Sequence, residues 1–130
     1  MAAMIRRWSS SELSIAGERI EVVDYRDGCE NAAAPIERML RSFLRTRSGA
    51  SLRVEDWSPV EKKLALQAIV ASESRLGGIA VMDPRFLAEL RAAASEEALD
   101  DLALRFMNRW HAANHLSYMH LRASASATVL

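Results

Sequence analysis

The spacing of apolar and polar positions changes twice along the chain, and each change predicts a different kind of element. Leu13 and Ile15 alternate with polar neighbours, Ala16-Gly17 can turn the chain, and Ile20 and Val22 resume the alternation. A period of two on both sides of a two-residue turn predicts a short β-hairpin over 13–25, with Gly17 supplying the positive φ that such a turn needs. A lone hairpin is marginal in water, so this one must lie on the helices that follow or pair with another copy. Residues 1–12 read as a flexible N-terminus, and Arg26 to Ala33, with Asp27-Gly28 inside it, reads as a loop.

From Pro35 the period becomes helical. Proline suits the first helical position, where its missing N–H would have no partner, and Ile36, Met39, Leu40, Phe43 and Leu44 then form one stripe. Arg38, Arg41 and Arg45 fall largely off that stripe, and Ser48-Gly49-Ala50-Ser51 ends the helix. A second helix opens on a capping box, Ser58-Pro59-Val60-Glu61, with Trp57 placed just before it as a staple. Leu64, Leu66, Ala68, Ile69, Val70 and Ala71 give this helix a broad apolar surface, which predicts a central place, and Gly77-Gly78 ends it. Asp83-Pro84 starts a third helix carrying Phe86, Leu87 and Leu90. Ser95-Glu96-Glu97 starts a fourth, with two acids where the helix dipole favours them. The pattern runs to about Arg122, and the small, polar residues 123–130 read as a flexible tail. The predicted fold is mainly α: a single domain over 1–130, with a short N-terminal hairpin and about four helices across 35–122, the last one longest.

The fourth helix is long and apolar on two sides. One face carries Leu99, Ala103, Phe106, Trp110, Ala113 and Leu121, and an adjacent face carries Leu104, Met107, His111, Asn114, His115 and Tyr118. A helix packed on one side of a domain needs an apolar stripe only about 100° wide. The first face therefore suits the domain's own core. The second suits a dimer seam, a partner groove or a second layer of core. Tyr, Met and His supply contact area while keeping a polar tip, as interfaces favour. Leu104, Met107, His111, His115 and Tyr118 are the candidate partner-binding residues. A break near Asn114 would shorten the helix and weaken this reading.

Composition narrows the function classes. Lys+Arg and Asp+Glu both number 17, giving zero formal net charge, whereas DNA-binding domains carry an excess of cations. Lys62 and Lys63 are the only lysines, and the Arg- and Ala-rich remainder fits a GC-rich bacterial genome. Cys29 is the only cysteine, which rules out an intrachain disulfide and a Cys-rich metal cage. No apolar run approaches the roughly 20 residues of a membrane span, and the start of the chain lacks a secretory signal's apolar core. The expectation is a cytoplasmic protein with no membrane partner.

Candidate chemistry is sparse. His111 and His115, four residues apart, share a helix face and could chelate a metal, but no Glu follows His111 as in metalloprotease helices and no third ligand is evident. Glu73-Ser74 at the end of the second helix resembles, over two residues, the region around the catalytic Glu of soluble lytic transglycosylases. That resemblance implies a general acid of raised pKa in an apolar pocket. The family's downstream Gly-Leu-Met-Gln element and an aromatic sugar cleft are missing, so a solvated helix-end Glu is expected. Gly77-Gly78 lacks phosphate-loop spacing, and no Gly-x-Ser-x-Gly elbow surrounds any serine. Arg38, Arg41 and Arg45 form at most a solvated ridge. The reading is a non-enzymatic bacterial regulatory or adaptor protein of antiactivator, inhibitor or chaperone type, homodimeric, binding a protein partner and needing no cofactor or metal. The alternatives are a metal- or cofactor-binding protein or enzyme built on His111 and His115, and a nucleic-acid-binding regulator.

Overall fold

A computed structural model describes residues 12–26, 34–75 and 84–129, without the side chains of 74–75 and 114–129. The expected loop from Asp27 onward, with Cys29, and the Gly77-Gly78 stop and Asp83 cap lie outside the described residues. The fold is mainly helical. Strands β1 (Glu12–Ile15) and β2 (Glu18–Val22) precede helix α1 (Pro35–Phe43), strand β3 (Leu44–Thr46) and a 3-10 turn (Val54–Asp56). Helices α2 (Pro59–Arg75), α3 (Pro84–Ala92) and α4 (Glu96–Val129) follow.

The hairpin forms around the expected Ala16-Gly17 turn, with Leu13 opposite Ile20 and Ile15 opposite Glu18. Both turn residues have positive φ, 53° at Ala16 and 81° at Gly17, as a type I′ turn requires. Ala16 adopts this geometry against its Cβ, so turn and strands together overrule the local preference.

The hairpin pairs with a third strand of the same chain. β3 runs antiparallel to β2, with Ile20 opposite Thr46 and Val22 opposite Leu44. This corrects the sequence reading, which carried the first helix through Leu44 and Arg45. The chain passes from Phe43 in α1 directly to Leu44 in β3 with no loop between, at φ −127° and ψ 153°. The backbone after β2 satisfies the carbonyls left over at this junction: Val23 N–H donates to Phe43 O (2.8 Å) and Arg26 N–H to Ser42 O (2.9 Å). The Arg26 side chain adds a bond to Leu44 O. A helix end held this way needs no glycine cap.

The other helix ends follow nearby chemistry. The Ser58–Glu61 capping box closes in both directions, at 2.8 Å and 3.2 Å. Ser95 Oγ accepts from Ala98 N–H at the start of α4. α1 has no side-chain cap of its own; Asp100 of α4 accepts from Ile36 N–H at 3.0 Å instead. Lys63 donates to Arg91 O in the last turn of α3 and to Ala93 O just past it (3.0 Å), where the dipole favours a cation. Arg105 ties α4 to Glu89 of α3 at 2.9 Å and to Asp101 in its own helix, and stacks over Phe86.

The core gathers Ile15 and Ile20 from the sheet, the Ile36 to Leu44 stripe, Leu66 and Ile69 of α2, Phe86 and Leu90 of α3, and Leu99 and Phe106 of α4. The apolar surface of α2 is divided between core and solvent. Ala65, Leu66, Ile69 and Val70 are buried, while Val60 is 67% and Leu64 51% exposed on the opposite side. α4 runs unbroken past Asn114 and past the end expected near Arg122, for 34 residues. No Gly or Pro interrupts it, and alanine, the best helix former, recurs at 123, 125 and 127 in the final turns. No helix among the described residues is long and apolar enough to cross a membrane.

Candidate functional site

α4 places the predicted partner-binding residues. Its inner face, with Leu99, Leu102, Ala103 and Phe106 fully buried, packs on the core, and Trp110 and Ala113 continue that line half-buried. On the adjacent face Leu104 is 51% exposed and His111 is exposed, while Met107 is half-buried against the core. His115 and Tyr118 lie further along the same helix, and their side chains fall outside the described residues. The structure thus brings Leu104, Met107 and His111 to one side of α4, with Met107 turned partly inward.

His111 belongs to an aromatic cluster that the sequence did not reveal. Its ring meets Trp110 at 5.3 Å and Tyr25 at 5.4 Å, edge-on in both cases. Tyr25 and Trp110 lie 4.7 Å apart, and Phe43 packs beneath them at 5.5 Å and 5.4 Å. Phe106 reaches Phe43 at 6.0 Å, so the rings run unbroken from the core to the exposed edge of α4. Aromatic pairs at these separations add to burial energy. The contact is tertiary: Tyr25 is carried in by the segment that follows β2 and seals the end of α1.

Glu73 sits beside this cluster. It is only 9% exposed, and its Oε2 accepts from Trp110 Nε1–H at 3.1 Å. The expectation of a solvated helix-end carboxylate is therefore wrong. Position 73 continues the buried stripe of α2 from Leu66 through Ile69 and Val70, and that spacing was the available signal. Burial pushes the Glu73 carboxyl above its ordinary range; the Trp110 hydrogen bond opposes the shift and the nearby Asp24 carboxylate reinforces it.

Lys62 lies on the same stripe, eleven residues earlier. It is 2% exposed and donates to Glu96 at 2.8 Å and Glu37 at 3.3 Å, joining α2 to α4 and α1. Burial works to lower its pKa, but the bonds to Glu96 and Glu37 outweigh it and the net shift is upward. A lysine held this firmly protonated is a structural cation and a poor nucleophile.

The other candidate sites separate. No group of three or more His, Cys, Asp and Glu side chains among the described residues is arranged to hold a metal. The arginine ridge is split between elements. Arg41 bonds Leu52 O and Glu55, and Arg45 lies in β3 and pairs with Glu21 at 2.9 Å. No family model, no curated protein and no solved structure matches the chain.

Proposed function

We propose that the protein is a cytoplasmic, non-enzymatic bacterial regulator or adaptor that acts as a homodimer and binds a partner protein through the outward face of α4. The carrying observation is the side of α4 that its own core leaves open, with Leu104 half-exposed and His111 exposed beside half-buried Met107. Helix length supports the reading. Thirty-four residues span about 51 Å at 1.5 Å each, against roughly 36 Å for the diameter of a compact chain of this size. His115 and Tyr118 extend the same face.

Leu104→Glu and His111→Glu test the proposal at exposed positions of α4. Light scattering should give wild-type protein twice the 14.5 kDa chain mass and the variants the single-chain mass, with unchanged circular dichroism. Partner capture from lysate should fail in the same variants. A wild-type protein that stays monomeric at every concentration removes the homodimer. Variants that dimerise and capture partners normally remove the α4 face.

A further inference from the structure

The geometry points to a proton-operated latch between α2 and α4: Glu73 holds Trp110 in place while protonated and releases it on ionising beside Asp24. Three observations carry this. Glu73 is more than nine-tenths buried, and its hydrogen bond to Trp110 bridges two helices. Among the described residues no cationic nitrogen lies within ion-pair distance of its carboxylate, unlike that of Glu37 or Glu96. Asp24, exposed on the segment that carries Tyr25, places a second carboxylate close enough to act on it.

An ionised carboxylate in this position keeps one neutral indole donor, has lost most of its water and faces a like charge. The lost water and the like charge disfavour the charged form, and a single neutral donor, which by itself favours it, does not make up for them. A protonated Glu73 keeps the same bond, because Oε2 still accepts while Oε1 carries the proton. On ionisation the proton passes to solvent and the carboxylate gains by turning outward to water. That motion ends its bond to Trp110 and loosens the rings packed on the indole, Tyr25 at 4.7 Å and His111 at 5.3 Å. The latch is closed in acid and opens as the pH rises. Among the described residues the charged group that acts on Glu73 is Asp24, from the segment after β2; on α4 the titratable His111 packs on the Trp110 indole rather than on the carboxylate. The upward displacement of the Glu73 pKa accords with this arrangement.

Nuclear magnetic resonance of the intact, tryptophan-labelled chain tests the latch. The Trp110 indole N–H is identified as the resonance that remains in both Trp8→Phe and Trp57→Phe. Between about pH 4 and pH 8 it should move with a midpoint above the ordinary carboxylate range. The movement should vanish in Glu73→Gln, shift to lower pH in Asp24→Asn and survive in His111→Gln. A resonance that stays fixed in the wild type overturns the proposal. So does a titration that persists in Glu73→Gln, ignores Asp24→Asn or disappears with His111. The Asp24→Asn arm keeps the test decisive even if Glu73→Gln fails to fold.

Discussion

Lys62 and Glu73 stand at two ends of one buried stripe on α2, and the protein treats the two charges in opposite ways. Lys62 is enclosed by two carboxylates from two other helices. Glu73 has one indole and a like-charged neighbour. A buried ion is tolerable when partners replace its lost water, and costly when they do not. The lysine end of α2 is therefore fixed by charge, whereas the glutamate end is conditional on protonation. The same helix can be anchored at one end and responsive at the other.

The largest effect should come from stripping Lys62 of its partners. Glu37→Ala combined with Glu96→Ala leaves a buried, unpaired ammonium and should cost about 3–5 kcal/mol in urea unfolding. Lys62→Met should cost far less, because it removes the buried charge itself and leaves two acids that reach solvent. Equal losses in the two proteins would mean that Lys62 contributes packing rather than charge.

Thermal melts across pH should separate the two ends. Both groups have folded-state pKa values above the unfolded ones, so both contributions are complete at low pH and fade as pH rises, in different windows. For Glu73 the loss begins above the ordinary carboxylate value of 4.5 and proceeds as the pH passes its raised folded value. Glu73→Gln should flatten that limb and be the more stable protein at neutral pH. For Lys62 the loss begins above 10.5, and Lys62→Met should lack it.

Two smaller substitutions serve as controls. Ser58→Ala weakens the start of α2 without touching either charge and should cost about 1 kcal/mol at every pH. Arg45→Gln removes an exposed partner of Glu21 and should change stability by about 0.2–1 kcal/mol, diminishing in high salt. An Arg45 effect as large as that of the Lys62 partners would undo the contrast between buried and solvated pairs.

The parts of the fold legible in the sequence were those set by local chemistry. The Ser58–Glu61 box, the Ser95 cap, the proline starts and the Ala16-Gly17 turn act within a few residues, and each was readable at its position. β3 was not. Three residues are too few to show a period, and Leu44 also completes the spacing of the helix before it. Lys62 and Glu73 fell on a visible stripe, but charged residues are seldom buried, so Glu73 was expected in solvent and nothing drew attention to Lys62. Asp100 capping α1 and Tyr25 meeting Trp110 depend on segments distant in the chain, which no local pattern encodes. On the candidate face, helical spacing grouped Leu104, Met107 and His111. That spacing did not show that Met107 leans on the core or that His111 packs on two rings, and it leaves the role of the face a proposal.

The direct passage from Phe43 in α1 to Leu44 in β3 has a consequence for how this half of the protein comes apart. With no slack between helix and strand, neither can leave its place without pulling the other. The bonds from Val23 and Arg26 to the junction carbonyls extend that constraint to the chain after β2. Segments joined in this way open as one cooperative unit. Amide hydrogens of α1, β2 and β3 should therefore exchange with deuterium at one shared opening free energy.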